Sequence, residues 1–142
     1  MLTSNNNCFY QQSIFYRPHV IDETKSNNYQ KLYQVLLHRE KKAKTPEEDR
    51  DFDVEDVYIL ARVFQWRCFL TGNKNSLELV RWDPKKKPTL TNLVLLNVPQ
   101  AQKHLLHDDI STVYDAETHQ KILEKFALAE QIKRTKNPIY TH

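Results

Sequence analysis

Residues 68–104 read CFLTGNKNSLELVRWDPKKKPTLTNLVLLNVPQAQKH, and this stretch decides the fold. Residues 77–82 (LELVRW) and 92–96 (NLVLL) are two short runs rich in strand-favouring side chains. Between them lies a loop that holds Pro84 and Pro88, and past Pro99 the composition turns helical. The order is therefore strand, loop, strand, short helix. Gly72 is the single glycine of the chain, so tight turns with positive φ are expected to be rare.

Upstream, Asp53 is a good N-cap for a helix that places Val54, Val57, Tyr58, Ala61 and Phe64 on one face. Before it, residues 44–51 (KTPEEDRD) are a charged, proline-containing linker and the best candidate for a boundary. Tyr29, Leu32, Tyr33 and Leu36 follow the i, i+3, i+4, i+7 spacing, which predicts a helix over 28–42. Its last turn, HREKKAK, is basic and suits the negative end of the helix dipole. Residues 1–28 are polar, rich in Asn and Gln, and aperiodic, with Phe9, Tyr10, Phe15 and Tyr16 scattered through them. They are expected to form an extended arm that a partner orders. Downstream, a short helix over 97–107 closes the unit. Asp115 then caps a last helix to about residue 134, with Ile122, Phe126, Ala129 and Ile132 on its apolar face. Pro138 predicts an extended tail over 135–142. The expected class is α+β: a small ββα core over 52–107, a helix and linker over 29–51, a helix and tail over 108–142, and extended arms.

Composition narrows the function. At 142 residues with 39% hydrophobic residues and a mean hydropathy of −0.72, the chain can fill one modest core. The 21 basic and 18 acidic residues give a net charge of +3, which neither demands nor excludes a nucleic-acid partner. Cys8 and Cys68 offer no disulfide framework and no zinc quartet, so a reducing compartment is expected. Cys8 has no basic neighbour to activate its thiol. No apolar run reaches the length of a membrane span. The N-terminus has no signal-peptide core, and Met1 leads to the expectation of an untrimmed start. Residues 1–21 contain no acid, a weak pointer to mitochondrial import.

On Cys68, Gly72, Leu77, Glu78, Pro84, Asn92, Leu93, Leu95 and Leu96, residues 52–106 resemble the HNH endonuclease domain. That family has a Cys-x-x-Cys-Gly knuckle, a strand ending Asp-His-x-x-Pro, an Asn-Leu-x-x-Leu strand, and a second Cys-x-x-Cys leading into a His-bearing helix. It uses the His as general base and a divalent metal to offset charge on the scissile phosphate. Counting back from Pro84, the acidic position is Val80 and the base position is Arg81. A guanidinium keeps its proton near neutrality and cannot act as a base. Asn92 retains the family's Asn and suits a strand–loop hydrogen-bonding role. The first knuckle keeps Cys68 but has Thr71 for its partner; the second has Asn97 and Gln100, and the helix His position is Ala101. One zinc ligand in four makes no site. His104 and His107, farther along the same helix, read as solvated or core-edge histidines rather than displaced ligands.

Other candidates weigh less. Lys85, Lys86 and Lys87 are possible phosphate or partner contacts, as is Arg81, although a lysine run on a loop is more often a solvated turn. Trp66 and Trp82 have the chemistry to stack on bases, but each borders an apolar segment and reads as core or interface. The resemblance thus implies a pseudo-nuclease with no catalytic residues, no metal and no cofactor. The expected function is a structural subunit among the protein subunits of a large complex, in a mitochondrial respiratory-chain complex or mitochondrial ribosome. The alternative is a nucleic-acid-binding module; an active nuclease is the least favoured reading.

Overall fold

A computed structural model describes residues 23–140, with side chains placed for residues 28–135. The expected arm over 1–28 lies outside the described residues up to residue 22. From there the chain is already helical: α1 spans Glu23–Lys42, five residues longer than its apolar spacing predicts. Its first turn holds neither Gly nor Pro and nothing apolar, so no period announces it, yet nothing breaks it either. α2 (Val54–Val63) starts with a capping box in which Asp53 accepts from the Asp56 backbone N–H, and the Asp56 carboxylate accepts from that of Asp53.

β1 (Leu77–Arg81) and β2 (Leu93–Asn97) pair antiparallel, with Leu79 opposite Leu95 and Arg81 opposite Leu93. α3 (Val98–His104) follows at once and packs on both strands. The expected strand–loop–strand–helix order is present, within a small mixed α+β domain. Every residue of β2 is buried, which a two-stranded sheet achieves only when helices cover both of its faces. α1 packs on β1 and α2 on β2. Leu32 and Leu36 of α1 share one core with Val57, Leu60, Leu79 and Leu95, so residues 44–51 connect parts of a single core.

The last helix, α4 (Ala116–Tyr140), runs past Pro138, where an extended tail was expected. Proline disturbs the turn before it by removing one donor and crowding the carbonyl of residue 134. It does not dictate the backbone after it, and residues 135–137 contain no stronger breaker. Asp115 caps the start, accepting from the Thr118 backbone N–H at 2.8 Å. Ile122, Phe126 and Ala129 are the buried stripe of α4.

α2 ends in a Schellman turn without glycine. Gln65 N–H donates to the Arg62 carbonyl and Trp66 N–H to the Ala61 carbonyl, each at 2.9 Å. Gln65 takes the left-handed conformation the motif needs (φ 58°), and Trp66 is left-handed as well (φ 54°). No helix among the described residues is long and apolar enough to cross a membrane.

Candidate functional site

Arg81 ends β1 at the place where the resemblance puts a general base, and its side chain is fully engaged. Its Nη2 donates to Glu40 Oε1 at 2.6 Å and its Nε to Glu40 Oε2 at 3.1 Å, a two-point ion pair. Nη2 also donates to Thr45 Oγ1 at 3.0 Å, and the Thr45 hydroxyl donates to Glu40 Oε1 at 2.7 Å. Nη1 reaches the Lys86 carbonyl at 3.0 Å and that of Pro84 at 3.4 Å. The Glu40 side chain is 4% exposed and that of Arg81 22%. The guanidinium therefore ties the end of α1, the end of β1 and the lysine loop into one knot. It is not free to grip a phosphate. Beside it, Arg39 pairs with Glu78, a second link from α1 to β1.

Glu40 was not among the candidates, though the spacing carried the signal. Tyr29, Leu32, Tyr33 and Leu36 continue to residue 40 on the same helix face, so an acid lands where the core lies. A carboxylate on an apolar face requires a cation, and Arg81 is that cation.

Val80 and Ala101, at the acidic-ligand and helix-histidine positions, are buried members of the apolar core. Neither side chain has a ligand atom. Among the described residues no group of three or more His, Cys, Asp or Glu side chains could hold a metal ion. The residues present do not fit the divalent metal of the HNH domain.

The knuckle region keeps its shape by hydrogen bonds. Gly72 N–H donates to the Cys68 carbonyl and Cys68 N–H to that of Asn73, each at 2.8 Å, with Gly72 at φ 76°. Phe69 N–H donates to the Leu95 carbonyl at 2.8 Å, stitching this turn to β2. The Cys68 thiol is buried, which raises its pKa. Hydrogen bonds from the Thr71 side chain and from the Asn97, Thr71 and Leu70 backbone outweigh burial and lower it overall. Asn97, at a second-knuckle position, has become the N-cap of α3 and accepts from the Gln100 N–H at 3.1 Å. Cys68 thus meets Thr71 and the Asn97 backbone, and Gln100 reaches this group only through its N–H to Asn97. Purified protein is expected to hold no stoichiometric zinc, and a chelator to leave its Tm unchanged. One zinc per chain by elemental analysis, lost on Cys68→Ser, would contradict this.

Asn92 performs the expected loop role. Its Nδ2 donates to the carbonyls of Asp83 and Lys87 at 3.0 Å and Lys86 at 3.3 Å, while Oδ1 accepts from Asp83 N–H at 2.9 Å. The loop tip it holds is exposed, yet Lys87 meets Asp49 at 3.2 Å and Lys85 lies 4.0 Å from Asp109. Acids flank two of the three lysines, so the tip is not a concentrated positive patch.

His104 was expected to be solvated or at the core edge and is instead buried, at 2% exposure, while His107 is exposed. Its Nε2 lies 3.0 Å from the Arg81 carbonyl and 2.9 Å from the Trp82 carbonyl. Carbonyls only accept, so Nε2 carries the proton, and Nδ1 accepts from the Tyr114 hydroxyl at 2.7 Å. The ring stacks on Trp82, with centroids 5.2 Å apart. Burial lowers the His104 pKa from its ordinary 6.5, and the nearby His107 charge lowers it further, against the upward pull of the two carbonyls. His104 is a neutral pin between α3, β1 and the segment before α4.

A pH dependence follows from that pin. The folded state binds the His104 proton less readily than the unfolded chain does. This share of stability is therefore full above about pH 6.5 and falls as pH drops toward the depressed folded value. Thermal unfolding from pH 7.5 to 5 should show a falling Tm, with a shallower fall in His104→Gln. Equal slopes in the two proteins would contradict the assignment.

Fold and site together define a small mixed α+β domain whose ββα motif is held by hydrogen bonds, an ion pair and apolar packing. No family model matches the chain. Over 104 residues, covering 69% of this chain, it is 27% identical to the tRNA threonylcarbamoyladenosine dehydratase 2 of Saccharomyces cerevisiae. The matched part is 23% of that protein, so the chain spans less than a quarter of the relative's length.

Proposed function

We propose that this chain is a non-catalytic structural subunit of a larger assembly, using an HNH-like fold without its chemistry as a scaffold. The observation that carries the reading is Arg81. At the base position stands a group that cannot take a proton, committed to Glu40 and to loop carbonyls. Val80 and Ala101, packed in the core, supply no ligand beside it. The aromatics of residues 1–22 and the polar sequence around them suit a segment that packs on partner proteins. The acid-free residues 1–21 favour a mitochondrial assembly, a respiratory-chain complex or the mitochondrial ribosome.

A second reading, a nucleic-acid-binding module, draws on the yeast relative, whose name places its reaction on tRNA. Size separation of a native extract distinguishes the two. The 17.0 kDa chain is expected to migrate with a fixed set of proteins, and the association should survive nuclease treatment. Migration as a free monomer contradicts the scaffold, and release by nuclease favours the second reading.

A further inference from the structure

At the end of the sheet away from Arg81, a half-open cleft of about 370 Å³ lies between α1, the turn after α2, and the start of β1. Leu32, Leu77 and Val98 give it apolar surface, and Trp66 is among its lining residues. Trp66 is only half-buried there, unlike Trp82. The Schellman turn needs one left-handed residue, and Gln65 supplies it. The left-handed Trp66 beside it is a second departure from what a bulky side chain prefers, and it falls at the cleft.

Charge selects the occupant. Lys31 and Lys74 also line the cleft and are exposed, and neither has an ion-pair partner among the described residues. Glu78, the one acid in the lining, is paired with Arg39. The cleft therefore offers an indole for stacking and two ammonium groups with no ion-pair partner among the described residues. Residues 1–21 of this chain have no acid to match those lysines, so that segment is a poor complement.

We infer that this cleft binds a nucleotide unit, its base stacked on Trp66 and its phosphate between Lys31 and Lys74. Stacking on an aromatic is tolerant of base identity, and lysines act on phosphate as point charges, so little sequence preference is expected. The free nucleotide and a single strand share this chemistry. The inference does not depend on the scaffold reading, since a structural subunit can also hold a nucleotide.

The test uses the full chain with two probes, adenosine monophosphate and a labelled ten-nucleotide single-stranded RNA. The Trp66 share of the tryptophan fluorescence, read by difference from Trp66→Tyr, should be quenched on titration with at least one of them. Affinity that rises with strand length identifies a strand as the source, and equal affinity a free nucleotide; either supports the site. Lys31→Glu with Lys74→Glu is expected to weaken binding about tenfold or more and, for the RNA, to flatten the salt dependence by about 0.7 in log–log slope per lysine. Trp66→Ala should weaken it about tenfold, and Trp66→Tyr should retain most of it. The lysine variants are surface changes, so the test survives even where Trp66→Ala fails to fold. Quenching by neither probe, or binding unaffected by the lysine changes, overturns the proposal. So does quenching by a phosphotyrosine peptide and by neither the RNA nor adenosine monophosphate, which would make the cleft a phosphopeptide site.

Discussion

Glu40→Ala is expected to destabilise the domain by about 3 kcal/mol, because it leaves the Arg81 guanidinium largely inside the protein without its anion. The acid is almost wholly buried, and the pair is two-pronged, with Thr45 hydrogen-bonded to both partners. Arg81 keeps some access to water, which places the cost at the lower end of the range for broken buried pairs. Urea unfolding should show a lower midpoint at unchanged slope. Arg81→Met should cost a similar amount, and the double variant less than the sum, since the second change removes a charge the first has stranded. A loss below about 1 kcal/mol for Glu40→Ala would put the pair among ordinary surface ion pairs and undo the claim that it anchors the loop.

Trp82→Ala should have the larger effect, about 3–5 kcal/mol, against a total stability of about 5–15 kcal/mol for a domain of this kind. Trp82 lies just beyond β1 and is the centre of an aromatic cluster. Tyr114 stacks on it at 5.0 Å between centroids and His104 at 5.2 Å; His119 meets it edge-on at 5.6 Å and Phe69 at 6.0 Å. These rings come from the knuckle turn, α3, the segment before α4, and α4 itself. Truncation opens a cavity at the point where four parts of the chain meet. Near-UV circular dichroism should lose its aromatic signal along with the drop in unfolding midpoint. A stable variant with an intact near-UV spectrum would mean the cluster is incidental to the fold.

The ββα order was legible because short β-rich runs, a proline-bounded loop and a single glycine leave few alternatives. Asn92 was legible for a related reason, since an amide where a strand leaves a loop has backbone groups on every side to satisfy. Glu40 and His104 were not. Each is polar by type and buried by position, and residue type dominates a reading made without tertiary contacts. Helical spacing places Glu40 on the apolar face of α1, but naming its partner requires knowing that residues 40 and 81 meet. The extra turns of α1 and α4 were hidden because they lie beyond the apolar stripe that makes a helix visible. The left-handed Trp66 had no signal at all, since a tryptophan there is indistinguishable from a core residue until the backbone is known.

Plasmid nicking tests most directly the proposal that an HNH-like fold serves here without its chemistry. The unaltered chain would be incubated with supercoiled DNA and magnesium, manganese or nickel, beside a chelator control. No nicking above background is expected, and Arg81→His alone should restore none, because a base without a metal leaves the phosphate charge uncompensated. Chelator-sensitive cleavage by the unaltered protein would contradict the account outright.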